Sequence, residues 1–202
     1  MAFINTIPPI RAEGKLLQLY ERVSGPEGQV DNVLQVHSLR PHTLEGHVGL
    51  YKAVLHHPRN RLAPWFLESI GVLVSMLNGC SYCEQHHSRG LQRLLEDKPG
   101  WYESYMSQLQ SETPAAPFKE KEIAALAYVR KLTQTPANIT QVDIDWLRSQ
   151  GSTDGEILEI NQVASYFAYA NRTVSGLGVS IDGEVLGLSP RTSAETDDWD
   201  HG

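Results

Sequence analysis

Two cysteines are all that this chain of 202 residues contains, and they stand three positions apart, at Cys80 and Cys83. A pair so close cannot staple a protein of this size, so a disulfide scaffold is excluded and the thiols need another use. Long hydrophobic runs are missing too. The longest apolar stretch, Ile70 to Leu77, is interrupted by Gly71 and Ser75 and falls far short of the ~20 residues of a membrane span. Met1 to Arg11 carries two prolines and no apolar run, so neither a signal peptide nor an anchor is expected there. Positive charge is scarce: 17 Lys and Arg against 24 Asp and Glu give a net −7, without the basic footprint of a nucleic-acid binder. Gly (16) and Pro (11) are too few for a fibrous or low-complexity chain. The expectation is a soluble cytoplasmic protein with no nucleic-acid or membrane partner. In a reducing compartment a disulfide between the two thiols is transient and catalytic, not structural.

What is present is helical periodicity. Apolar residues at Leu16, Leu17, Leu19, Tyr20 and Val23 predict a first helix after Pro8-Pro9, and Asn32 to Leu39 a second. Helices follow over Thr43 to His57, Ala63 to Leu77, Ser81 to about Leu95, Trp101 to Leu109, Lys119 to Leu132, Thr140 to Leu147 and Gly155 to about Gly176. Ser152 or Thr153 caps the last of these. No strand pair with a hairpin turn stands out, and only Val179 to Leu188 is ambiguous. The fold class is all-α: a single helical domain with an N-terminal extension (1–40), a half bearing the cysteine pair (41–111), a second helical half (118–188) and a polar tail (189–202). Ser111 to Pro117 reads as the linker between the halves. A faint internal repeat sets Glu68, twelve residues before Cys80, against Glu159, twelve before Asn171.

The informative segment is Asn78-Gly-Cys-Ser-Tyr-Cys-Glu-Gln-His-His87. A helix N-terminus stabilises a thiolate, and the C-x-x-C spacing closes a small disulfide ring there. His87 follows Cys83 by four residues, so both point to one helix face. If Gly79 reverses the chain into a helical hairpin, Glu68 lies ~15 Å below the bend and His87 ~10 Å below it, at about 1.5 Å per residue. Side chains or one water then close the gap. The set supplies a nucleophile, a base, an orienting carboxylate and a second thiol.

Glu68, Cys80, Cys83 and His87 match the pattern E-x11-C-x2-C-x3-H. With Val74-Ser-Met-Leu-Asn-Gly-Cys-Ser-Tyr-Cys and Tyr166-Phe-Ala-Tyr-Ala-Asn-Arg, the chain resembles the AhpD-like alkyl hydroperoxidases of the carboxymuconolactone decarboxylase superfamily, in their "peroxidase-related" branch. The likeness is dense over residues 44–95 and looser over 118–188. It implies an all-helical bundle that forms a homo-oligomer (dimer, trimer or hexamer) and acts as a thiol peroxidase without cofactor or metal. In that scheme Cys83, activated by His87 and Glu68, attacks a hydrogen or alkyl peroxide, Cys80 resolves the sulfenic acid, and a lipoylated protein or thioredoxin reopens the disulfide. AhpD itself has a second His just before the second cysteine, where this chain has Tyr82, so the relay is simpler or His86 takes part.

Other readings compete. The cysteines could be core residues, or Cys80, Cys83, His87 and Glu68 could hold zinc. A dithiol–disulfide reductase without peroxide turnover is the alternative function, and decarboxylase-type chemistry has no need of two thiols. His56-His57-Pro-Arg-Asn-Arg61 reads as a solvated loop with exposed histidines. Tyr166, Phe167 and Tyr169 read as core or subunit interface, with a substrate-pocket lining as the alternative, and Asn171-Arg172 as a structural hydrogen bond or subunit contact.

Overall fold

A computed structural model describes residues 2–25 and 28–187, so the polar tail expected over 189–202 lies outside the described residues. All the regular structure among them is helical. The helices are α1 (Gly14–Val23), α2 (Asn32–Gln35), α3 (Pro41–Tyr51), α4 (Pro64–Leu77), α5 (Ser81–Leu94), α6 (Trp101–Gln110), α7 (Glu120–Gln134), α8 (Gln141–Ser149) and α9 (Asp154–Gly176). None is long and apolar enough to cross a membrane.

Helix α4 is the axle. Every residue from Phe66 to Ser75 is buried, as expected of a helix that is apolar all round, and α5, α6, α7 and α9 pack about it. One cluster runs from Tyr51 and Leu73 through Leu109 to Phe118, Leu126 and Phe167, so a single core spans both sides of the Ser111–Pro117 connection. Arg130 of α7 reinforces that joint by donating to the carbonyls of Leu109 and Ser111. A smaller core joins α1 to α3 through Leu16, Leu19, Tyr20, Leu44 and Val48. Thr153 is the N-cap of α9, in a reciprocal capping box with Glu156.

Gly71 permits the closest approach in the bundle. A Cβ there would stand 2.2 Å from the ring of Phe167, so α4 and α9 meet at this distance only because the position has no side chain. Gly71→Ala should cost about 1–3 kcal/mol of unfolding free energy by overpacking, measured by chemical denaturation.

The periodic pattern over Thr43 to His57 is one element in the sequence and two in the structure. Helix α3 ends at Tyr51 and continues as a π-helical turn, Lys52–His56. The wider turn brings residues five apart together. The rings of Tyr51 and His56 meet edge-on at 4.8 Å, so His56 is half-buried against the bundle, contrary to the exposed loop expected. Asn32 to Leu39 is likewise shorter than expected: α2 gives way to turns before Pro41. The ambiguous stretch from Val179 holds turns and no strand as far as Gly187.

Candidate active site

The α4–α5 turn places the thiols. Asn78 ends α4, and Gly79 takes the left-handed conformation with φ 65°, which a glycine adopts without penalty. The Cys80 N–H donates to Ser75 O at 2.9 Å and the Gly79 N–H to Met76 O at 3.1 Å, a Schellman pair of bonds. The chain then re-enters helix at once, with Cys80 as the N-cap of α5 and Cys83 in its first turn. Both are free, buried thiols with their sulfurs 2.9 Å apart. Asn171 of α9 fixes the turn from above: its Oδ1 accepts from Asn78 Nδ2 at 2.9 Å and its Nδ2 donates to Ser75 Oγ at 3.1 Å.

Because the two helices run back side by side, Glu68 and His87 meet directly, with His87 Nδ1 2.7 Å from Glu68 Oε2. The carboxylate accepts the Nδ1 proton, which leaves Nε2 as the basic nitrogen. Phe167 braces the imidazole edge-on at 4.5 Å. Burial alone would push the Glu68 carboxyl up, but the charge and hydrogen bond of His87 outweigh it and hold the group below its ordinary value.

The dithiol is polarised. The Cys80 thiol is lowered to about 6, chiefly by the hydrogen bond that the Cys83 thiol donates to its sulfur. Burial opposes this, while the Cys83 backbone N–H, the Ser175 hydroxyl and the charge of His87 support it. The Cys83 thiol is raised, first by that same hydrogen bond and then by burial. One proton is thus shared, with the thiolate on Cys80 at the helix N-terminus. Iodoacetamide alkylation should reach half its plateau near pH 6, and Cys83→Ala should move that midpoint up toward the ordinary thiol value of 9.0, because the largest stabilising donor is gone.

A cavity of about 50 Å³ opens beside the pair, lined by Cys83 and His87 together with Asp31, His47, Tyr51, Tyr82, His86, Tyr166 and Phe167 among others; Cys80 lies behind Cys83 and outside it. Tyr82 and His86 are stacked at 4.5 Å, and Glu184, from the irregular segment after α9, receives both: Tyr82 Oη donates to its Oε1 at 2.9 Å, and His86 Nε2 is 2.8 Å from its Oε2. The Asn32 N–H at the start of α2 donates to the same carboxylate. Asp31, next to it, has its carboxyl pushed up to about 6 by burial, with opposing contributions from His86 and Glu184.

The four residues singled out in the sequence, Glu68, Cys80, Cys83 and His87, therefore come together. Among the described residues no three His, Cys, Asp or Glu side chains converge as a metal site requires. Glu159, the echo of Glu68, instead accepts the backbone N–H groups of Arg61 and Leu62 at 3.0 Å. Tyr166 and Phe167 line the cavity, whereas Tyr169 is exposed. Sequence reasoning passed over Asp31, His47, Tyr51 and Glu184. None sits in a motif, and only the fold carries α2, α3 and the segment after α9 to the cysteines.

No family model and no curated protein matches the chain. Solved structures do. An uncharacterized peroxidase-related protein from Silicibacter sp. TM1040 is 27% identical over 76% of this chain and 77% of its own, with a TM-score of 0.66. The AhpD core of a peroxidase-related protein from Ralstonia eutropha JMP134 is 20% identical over 92% and 97%, with a TM-score of 0.71. The debrominase Bmp8 in its apo form is 20% identical over 84% and 83%, with a TM-score of 0.63. The fold is all-α and AhpD-like. The proteins the chain is similar to include peroxidase-related proteins and a protein described as a candidate antioxidant defence protein.

Proposed function

We propose that the chain is a thiol peroxidase that reduces hydrogen peroxide or small alkyl hydroperoxides through a Cys80–Cys83 dithiol–disulfide cycle. The observation that carries this reading is the division of the pair: Cys83 faces the cavity beside the His87–Glu68 couple, and Cys80 waits 2.9 Å behind it. Cavity space of about 50 Å³ holds on the order of three or four water-sized groups, which suits a peroxide. His87 Nε2 takes the Cys83 proton, and Cys83 attacks the O–O bond to become a sulfenic acid. The Cys80 thiolate then attacks that sulfur, the S–O bond breaks, and the departing hydroxide takes a proton from solvent to leave as water while the disulfide forms. Reduction by a lipoylated protein or thioredoxin, a cytoplasmic setting that keeps the dithiol reduced, and assembly into a homo-oligomer belong to the same proposal.

A second reading has one observation in its favour. The cavity is walled by aromatic rings, and a debrominase shares the fold. The same dithiol could give two electrons to a brominated ring, releasing bromide and forming the same disulfide. Steady-state assays with dihydrolipoamide as reductant separate the readings. Peroxide consumption stoichiometric with dihydrolipoamide oxidation supports the peroxidase. Bromide release from a bromopyrrole without peroxide consumption supports the debrominase. Disulfide exchange alone leaves a dithiol–disulfide reductase.

A further inference from the structure

His47 of α3 and Tyr166 of α9 line the same cavity as Cys83 and His87, and the scheme above uses neither. Both are buried, with Tyr166 Oη 3.3 Å from His47 Nε2. His47 Nδ1 is buried and has no hydrogen-bond partner. Burial, followed by the nearby His37, lowers His47 to about 3, so the ring is neutral at physiological pH and carries one N–H. The proton count is then the same in either tautomer. If Nε2 carries the hydrogen, it donates to Tyr166 and the phenol O–H is uncommitted. If Nδ1 carries it, Nε2 accepts from Tyr166 and the Nδ1–H is uncommitted. The pair always holds one donor without a protein acceptor, beside a nucleophilic sulfur. A phenol raised well above 10 by burial keeps its proton throughout.

We propose that Tyr166, held by His47, is a catalytic residue that hydrogen-bonds the departing oxygen of the hydroperoxide. The assignment rests on the peroxidase reading. As the Cys83 sulfur forms its bond to the terminal oxygen of ROOH, the O–O bond breaks and its electron pair goes to RO⁻. Sulfur is oxidised by two electrons and the O–O bond is reduced. Tyr166 stabilises RO⁻ without giving up its proton, and His87 returns the proton it took from Cys83, releasing ROH. A donor aimed where charge develops lowers the barrier selectively, because the bond strengthens only in the transition state. Phe167 at 5.3 Å and Tyr51 at 5.7 Å hold the ring, so the hydroxyl alone is at issue in Tyr166→Phe.

The test uses the full chain with Cys80→Ser, in which Cys83 is the sole thiol, with and without Tyr166→Phe. Sulfenic acid formation is timed by stopped flow with hydrogen peroxide, tert-butyl hydroperoxide and peracetic acid, and iodoacetamide alkylation of Cys83 is timed in parallel. Tyr166→Phe should slow hydrogen peroxide and tert-butyl hydroperoxide ~10- to 100-fold. Peracetic acid, whose acetate leaves unaided, should slow far less, and alkylation should not change. Equal rates with and without the hydroxyl, or one common loss that includes alkylation, would overturn the assignment while the parent's peroxide reaction stands. A parent inert to all three peroxides would overturn the peroxidase reading itself, and the role of Tyr166 with it.

Discussion

Cys83→Ser should abolish peroxide turnover, lowering kcat/KM by at least about a thousandfold, with the fold intact. A serine hydroxyl is close in size to the thiol, so the buried position stays filled, but it is a far weaker nucleophile and forms no counterpart of the sulfenic acid. The Cys80 thiolate would remain, 2.9 Å behind the cavity wall and outside the cavity itself. Cys80→Ser should fail differently. Cys83 would still react once, so peroxide would be consumed in a burst of one equivalent per chain and turnover would then stop at the unresolved sulfenic acid. The two variants thus separate attack from resolution. Steady-state peroxide consumption with dihydrolipoamide checks the first, and burst amplitude by rapid mixing checks the second. Equal residual activity in both would remove the division of labour.

Glu68→Ala should be nearly as damaging, and for two reasons. Removing the carboxylate leaves the buried His87 Nδ1–H without its acceptor, at a cost of about 1–3 kcal/mol in stability. The His87 ring would also lose the acceptor that fixes its tautomer, so peroxide-dependent kcat/KM should fall ~10²- to 10⁴-fold. Glu68→Gln separates the effects. The amide oxygen still accepts from Nδ1, so the fold should hold while the base weakens. The pH dependence has a definite sign. The Glu68 carboxyl lies below its ordinary 4.5 in the folded chain, so its contribution to stability is present above pH 4.5 and is lost as pH falls through the folded value. Denaturant midpoints of the parent should therefore drop more steeply below pH 4.5 than those of Glu68→Gln.

The hairpin and its four residues were legible because helices are periodic. Once Gly79 is read as the turn, distances along α4 and α5 follow from rise per residue, and Glu68 and His87 face each other. The contact proved direct, with no water between them. The rest of the cavity has no such local signature. His47 and Tyr51 lie on a helix whose apolar residues mark a buried face but not what that face meets. Asp31 belongs to the approach to a four-residue helix. Glu184 sits where no periodicity exists, and its role comes from three partners distant in the sequence, Asn32, Tyr82 and His86. His56 was misplaced because spacing alone does not distinguish a π turn from the end of a helix. Tyr166 and Phe167 are buried, as the core reading expects, and they also line the cavity, the pocket role that the aromatic spacing offered as an alternative. The polarity of the dithiol, too, depends in part on Ser175 of α9, which only the assembled bundle brings near the sulfurs.

The most direct test is a single turnover followed by mass spectrometry. One equivalent of hydrogen peroxide is mixed with the reduced chain and with its Cys80→Ser variant, each in the presence of dimedone, and the cysteine peptides are mapped. The parent should yield one Cys80–Cys83 disulfide per peroxide consumed, and the variant a dimedone adduct on Cys83. Loss of peroxide with both thiols unchanged would contradict a dithiol peroxidase at this site.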